Sequence, residues 1–282
     1  MKVVLVGGSG FLGQFVVRAM ADSGHHSLVL TRSPGRAREF ALARNTRLAT
    51  VNVYSEPDLS DVFAGADAVV SMAGILNESG FSGKGFRRVH VDLLKGVLNA
   101  CRNAGVSRVL HVSALNAGQG ESHYLKTKGE AEDLLRAASD IKATIFQPSV
   151  IFGPGDGFFN RFADLLRVAP VMPLACPASR LQPVYAVDVA RVMVRALEDP
   201  SLIGRTLQLG GPRDYSLIDL VRWTAATLGL KRRVVPLPGV LSRLQATVMD
   251  FVPGKPFSTD NYRSLQVDNV ATDNAIFDFD FI

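Results

Sequence analysis

Met1-Lys2-Val3-Val4-Leu5-Val6-Gly7-Gly8-Ser9-Gly10-Phe11-Leu12-Gly13 opens the chain, and its reading decides the fold. Residues 1–6 are a short apolar run rich in β-branched side chains, the pattern of a strand buried on both faces, and the run stops at a cluster of glycines. From there the apolar positions Phe11, Leu12, Phe15, Val16, Ala19 and Met20 recur at helical steps until Gly24, a stop signal. The stretch reads as strand, glycine turn, helix.

Gly7, Gly10 and Gly13 stand at G-x-x-G-x-x-G spacing. At such a junction backbone N–H groups and the positive end of a helix dipole face one point, and residues without a Cβ let an anion reach them. The pattern is a variant of the dinucleotide fingerprint. Gly7 takes the tight turn, Gly10 leaves room for a pyrophosphate flanked by Ser9, Phe11 and Leu12, and Gly13 lets the helix lie close on the sheet. The plainer alternative is an ordinary strand-to-helix turn.

Composition bounds the rest. With 282 residues, 47 % of them apolar, the chain can hold one large α/β domain or a domain plus a smaller lobe. Cys101 and Cys176 have no metal-ligand spacing and no disulfide framework, which points to a reducing compartment and no metal. No apolar run approaches the ~18 residues of a membrane span, and a strand opens the chain where a leader would stand, so a cytoplasmic protein is expected. The net charge of +5 favours anionic partners: a dinucleotide phosphate, an acidic membrane face or nucleic acid. No nucleic acid is expected, because Lys231-Arg232-Arg233 lacks interleaved aromatics and reads as a solvated strand edge.

Residues 26–30 read as a second strand. An NAD site commonly puts a carboxylate at its end; here stand Thr31-Arg32-Ser33, with Arg36 and Arg38 close behind. Cations there suit a 2′-phosphate, so NADP(H) is expected over NAD(H), with a solvated basic loop as the alternative. A third strand over 47–53 brings Asn52 and Val53 to the adenine, and a fourth over 67–72 ends in Ala73-Gly74, small enough for close approach to a ligand. A helix over 86–104 and a fifth strand over 107–113 continue the alternation that builds parallel βαβ units.

Tyr124 and Lys128 fall on one helix face, where an ammonium favours the phenolate and the tyrosine can pass a proton to a carbonyl while hydride moves at a nicotinamide. An exposed helix pair is the alternative. Together with Gly7–Gly13, the stretch Gln147-Pro148-Ser149-Val150-Ile151-Phe152-Gly153-Pro154-Gly155 and the stretch Gln182 to Ala190, this pair resembles the extended and atypical short-chain dehydrogenase/reductases. The resemblance implies a Rossmann fold, Tyr124 as the catalytic tyrosine, Lys128 as the lysine that holds the nicotinamide ribose, and Pro148 and Val150 beside the nicotinamide. A family Ser or Thr after the fifth strand falls on Ser113 or on the inert Ala114 according to register, with Asn116 or Ser122 as substitutes.

Pro253-Gly254-Lys255-Pro256-Phe257 and Leu265 to Val270 resemble the branch of the dehydrogenase-like accessory subunit of mitochondrial complex I and its bacterial relatives. That resemblance implies NADPH held without evident turnover, or a link to ubiquinone biosynthesis. The expected fold is therefore a doubly wound parallel sheet, its dinucleotide-binding core in residues 1–153, with 154–282 returning to the core and forming a small substrate lobe. The expected function is an oxidoreductase acting on a small carbonyl or quinone-related substrate. The alternative is a cofactor-holding protein of a respiratory or quinone-synthesis assembly, peripheral to the inner face of a membrane. The apolar segment 239–252 is expected to pack on the core or lobe, with a lid or membrane face as the other roles. The tail from Asn269 reads as a terminal strand or a loose end.

Overall fold

The computed structural model describes residues 1–32, 43–253 and 255–280. Its first half alternates strands and helices: β1 (Lys2–Val6), α1 (Phe11–Asp22), β2 (His26–Thr31), β3 (Thr46–Thr50), α2 (Glu56–Phe63), β4 (Ala68–Ser71), α3 (Lys84–Arg87), α4 (Leu93–Asn103), β5 (Arg108–Val112), α5 (His123–Ala137) and β6 (Lys142–Pro148). A single π-helical turn, Arg88–Asp92, joins α3 to α4 where the sequence predicts one uninterrupted helix. The second half holds β7 (Ile151–Phe152), α6 (Phe159–Val168), β8 (Val171–Leu174), β9 (Arg180–Leu181), β10 (Val184–Tyr185), α7 (Ala186–Glu198), β11 (Thr206–Leu209), β12 (Tyr215–Ser216), α8 (Leu217–Thr227), β13 (Arg233–Pro236), α9 (Gly239–Met249) and α10 (Thr259–Ser264).

Seven strands form one parallel sheet in the order β11-β6-β5-β4-β1-β2-β3. The chain runs outward from β1 to β3, then crosses back to lay β4 on the other side of β1. The strand order reverses there, at the C-terminal ends of β1 and β4, where an open parallel sheet offers its ligand crevice. This is the doubly wound Rossmann arrangement.

Both sheet faces are dry, as an apolar parallel strand demands. Val3, Leu5, Leu110 and Phe146 pack against Val16, Val17 and Met20 of α1 and Val189, Val192 and Met193 of α7. Val4, Val6, Val69 and Val109 meet Leu59 and Phe63 of α2, Leu94 and Val97 of α4 and Leu135 of α5. Truncating a fully buried ring such as Phe63 or Phe146 to alanine would cost roughly 3–5 kcal/mol. A third cluster, Leu166, Met172, Leu174, Leu217, Leu220, Val221 and Val234, belongs to the lobe.

Some expectations shift by a few residues or change character. The third strand stops at Thr50, so Asn52 and Val53 lie in the loop after it; Asn52 Oδ1 accepts from the Tyr54 amide, and Ser55 caps α2. In the basic stretch, Arg232 donates to the Leu166 and Arg167 carbonyls at the end of α6, while β13 pairs parallel with β8. The described part of the tail, through residue 280, is pinned to the sheet without forming a strand. Asn274 exchanges hydrogen bonds with Gly210, and Ile276 is buried in the first core cluster.

Segment 239–252 departs furthest from expectation. Its helix buries only Ser242 and Ala246, and its large apolar side chains stand in solvent.

Candidate functional site

The glycine turn sits at the switch point. Gly7 has φ +82°, and a Cβ there would lie 2.6 Å from the Ala73 nitrogen, so the turn after β1 rests directly on the loop after β4. At Gly13 a Cβ would fall 1.8 Å from the Gly8 carbonyl oxygen, which is why α1 can approach the turn only with glycine at that position. Gly10 is different: a Cβ there meets only the Gly7 carbonyl oxygen, at 3.3 Å, and the side facing solvent is open. As the N-cap of α1, Gly10 offers no side-chain cap, and the first turn carries no acid. Ser9 and Gly10 are exposed, Phe11 half-buried and Leu12 buried in the core. The amides at this helix start are thus placed to receive an anion.

Arg32 is exposed at the end of β2; Ser33, Arg36 and Arg38 lie outside the described residues. Asn52 is exposed and Val53 half-buried beside the third strand, with the Arg88 guanidinium 4.6 Å from the Tyr54 ring centroid just beyond. Ala73 and exposed Gly74 line the other side of the crevice, and a Cβ on Gly74 would stand 3.6 Å from Lys128 Nζ and 3.9 Å from His90 Nε2. Pro148 ends β6 in the core, and Val150 packs toward the lobe cluster.

Beyond Gly74 lies a buried polar cluster on one side of the sheet. Lys128 Nζ donates to the Val112 carbonyl at 3.0 Å. Burial lowers its pKa to about 8, against the pull of Glu132 one helical turn on. Glu132 is itself buried and accepts from Gln147 Nε2 and from Arg136. The Ile75 amide donates to His90 Nε2, so the neutral ring's Nδ1–H donates to Thr127 Oγ1, whose own hydroxyl donates to the His123 carbonyl. Burial and Lys128 together push His90 down to about 2 and His111 down to about 3. Both His111 ring nitrogens and Ser113 Oγ are buried without a hydrogen-bond partner among the described residues.

That finding sorts the candidates after the fifth strand. Ser122 caps α5 through the Leu125 amide, and Asn116 donates to the Asp268 carbonyl; Ser113 keeps an uncommitted hydroxyl.

Tyr124 lies in the first turn of α5, its ring packed edge-on against His90 and Phe86 at 5.5 and 6.1 Å between centroids. Burial pushes its phenol up to about 12. The lowering by Lys128 that the four-residue spacing suggests does not appear, because the lysine is turned onto Val112 and partly neutralised by its own burial. The start of α5 is held from the lobe. Asp260 Oδ1 accepts from the His123 amide at 2.6 Å and Oδ2 from the Tyr124 amide at 3.1 Å. A cleft of about 350 Å³ opens beside it, lined by Phe86 and His123 at the Tyr124 end and by Thr247, Asp250, Phe251 and Lys255 at the lobe end.

Sequence reading missed His90, His111, Glu132 and Asp260. His111 carried a signal, a polar residue inside a five-residue buried strand. Asp260 carried none, since its partners are over a hundred residues away.

A sequence model described as NAD(P)H-binding matches residues 7–160. The chain belongs to this NAD(P)H-binding family. Among its relatives, the ceramide reductase of Caulobacter vibrioides is 31 % identical over 244 residues, covering 85 % of this chain and 75 % of that protein. The mouse mitochondrial NADH dehydrogenase [ubiquinone] 1 alpha subcomplex subunit 9 is 28 % identical over 277 residues, 94 % of this chain and 71 % of the subunit. In fold, the family member is similar to the Bacillus cereus UDP-glucuronic acid 4-epimerase solved with UDP-glucuronic acid and NAD, at TM-score 0.73 and 19 % identity over 85 % of this chain and 87 % of that one. An NAD(P)-binding Rossmann domain, with relatives among complex I subunits, is thus established. The residues fit the cofactor: an open glycine at the start of α1, a small-residue wall at Ala73-Gly74, and an uncommitted buried hydroxyl at Ser113.

Proposed function

We propose that this protein is an NADP(H)-dependent oxidoreductase that reduces the carbonyl or quinone group of a small apolar substrate. One observation carries the reading. Lys128 bonds the Val112 carbonyl, next in the chain to the uncommitted Ser113 hydroxyl, and Tyr124 lies in the first turn of the same helix, whose first residue, His123, lines the open cleft.

The bound nicotinamide would supply a hydride. The remaining work falls to the chain. Ser113 Oγ–H donates to the substrate oxygen and polarises the carbonyl. Tyr124, whose raised pKa keeps it protonated at neutral pH, delivers the proton as negative charge develops on that oxygen. Lys128, largely an ammonium at pH 7 with its pKa at about 8, donates to the cofactor ribose. Arg32 provides charge for a 2′-phosphate. A relative named ceramide reductase supports both the direction of reaction and an apolar substrate.

A second reading has its own support in the 28 % identity to a complex I subunit: a protein that holds NADPH without turnover within a respiratory or quinone-synthesis assembly. Either form would work in the cytoplasm, at the inner face of a membrane. Titrating cofactor-free protein with NADPH and NADH, then adding quinones and ketones while following bound NADPH, separates them. Oxidation by an acceptor supports the reductase; tight binding without oxidation supports the holder; no binding rejects both.

A further inference from the structure

Helix α9 is built inside out. Its small residues Ser242 and Ala246 face the protein, while Val240, Leu244 and Val248, spaced one turn apart, and Phe251 beyond them leave 82, 57, 56 and 77 % of their surface exposed. An apolar stripe that protrudes so far costs solubility, and the described residues leave most of it uncovered. The stripe continues onto the loop after β4, where the exposed Phe81 ring lies 5.8 Å from that of Phe251. Lys255 ties the two segments together: its Nζ donates to the Gly80 carbonyl and lies 4.3 Å from the Phe81 centroid.

The segment that carries this ridge holds more cations than acids. Between Lys231 and Arg263 the sequence holds six Lys and Arg against two Asp. Both acids turn inward: Asp250 accepts from the Thr259 amide and hydroxyl, and Asp260 caps α5. Lys231, Arg233 and Arg243 are exposed. Thr247 and Phe251 from this segment and Phe81 from the loop also line the mouth of the cleft.

We infer that this ridge docks on an anionic phospholipid bilayer, setting Val240, Leu244, Val248, Phe251 and Phe81 into the acyl boundary with the exposed cations at the headgroups. A protruding apolar stripe with a cationic surround matches a fluid anionic surface, in which apolar area and cation number add to the binding. The orientation turns the mouth of the cleft toward the lipid, the phase in which an apolar carbonyl substrate resides. Docking rests on the surface alone and stands whether or not the bound cofactor is turned over.

The test is cosedimentation of the full chain with vesicles of phosphatidylcholine alone and of phosphatidylcholine mixed with phosphatidylglycerol. The expected result is binding to the anionic vesicles that weakens in high salt and falls about tenfold or more in Val240→Asp/Leu244→Asp. Phe277→Asp, which charges an equally exposed apolar residue (57 %) beside β11, should bind like the parent. Val240→Ser/Leu244→Ser repeats the test without added acid, and NADPH titration of each variant reports its fold. No sedimentation of the parent, or undiminished binding of both double variants, overturns the proposal. So does a dimer, seen by light scattering, that the double variants dissolve while vesicles stay unbound, which would assign the ridge to a second copy. Because NADPH binding is read separately, loss of vesicle binding and failure of the reductase reading are told apart.

Discussion

The turn at Gly7 presses on the backbone of Ala73 so closely that a Cβ on residue 7 would stand 2.6 Å from the Ala73 nitrogen. This contact locks the loop after β1 to the loop after β4 and defines the floor of the cofactor crevice. Gly7→Ala should therefore damage the fold, combining a left-handed backbone with a backbone clash for a loss of about 2–4 kcal/mol in chemical denaturation. Gly10→Ala, with a single contact at 3.3 Å, should melt within a few degrees of the parent and yet lose about tenfold or more in NADPH affinity. Equal losses of stability would mean that Gly10 serves packing and not the pyrophosphate.

Arg32 is exposed just after β2, where the proposed preference for NADP(H) calls for a cation. Arg32→Asp should raise the Kd for NADPH about tenfold or more and leave that for NADH within a few-fold. Equal losses for both would show that this side chain never meets the phosphate.

Much of this was legible in the sequence, and the reason is local. The β1–Gly7–α1 signal, the strand–helix alternation and the Tyr124/Lys128 pair each depend on residues within one or two turns of one another. What could not be read depends on distance. The clamp of Asp260 on α5, the isolation of Ser113 from Asn116 and Ser122, and the tail pinned at Gly210 by Asn274 all arise from tertiary contacts. The segment 239–252 was misread for a physical reason as well: apolar spacing identifies a helix face, but not whether that face looks into the protein or away from it.

The Asp260 clamp is itself testable. Its carboxylate satisfies two free amides at the positive end of α5, an arrangement worth about 1–2 kcal/mol. Asp260→Ala should lower stability by about that amount and, by loosening the turn that carries Tyr124, reduce turnover more than NADPH affinity. Unchanged turnover in a destabilised variant would separate the clamp from the chemistry.

His90 and His111 are buried in their neutral forms, with pKa values held at about 2 and about 3 against an ordinary 6.5. Their folded values lie below the unfolded ones, so the stability they confer is complete above pH 6.5 and is lost as pH falls toward 3. Across that window the unfolded chain binds two protons that the native chain refuses, which adds a slope of about 2.7 kcal/mol per pH unit. His111→Leu should remove half of that slope in urea titrations between about pH 5.5 and 3.5, and it removes a buried ring whose nitrogens have no hydrogen-bond partner among the described residues. An acid limb identical to the parent's would mean that His111 is solvated or protonated in the native state.

The most direct test of the central claim is a single-turnover experiment in which the protein is loaded with NADPH, mixed with a panel of quinones and long-chain ketones, and followed at the nicotinamide absorbance for the parent and for Tyr124→Phe. The account predicts that at least one acceptor oxidises the bound NADPH, and that Tyr124→Phe binds NADPH within a few-fold of the parent while oxidising it about a hundredfold or more slowly. Oxidation at the same rate in both proteins, or tight binding with no oxidation by any acceptor, would contradict it.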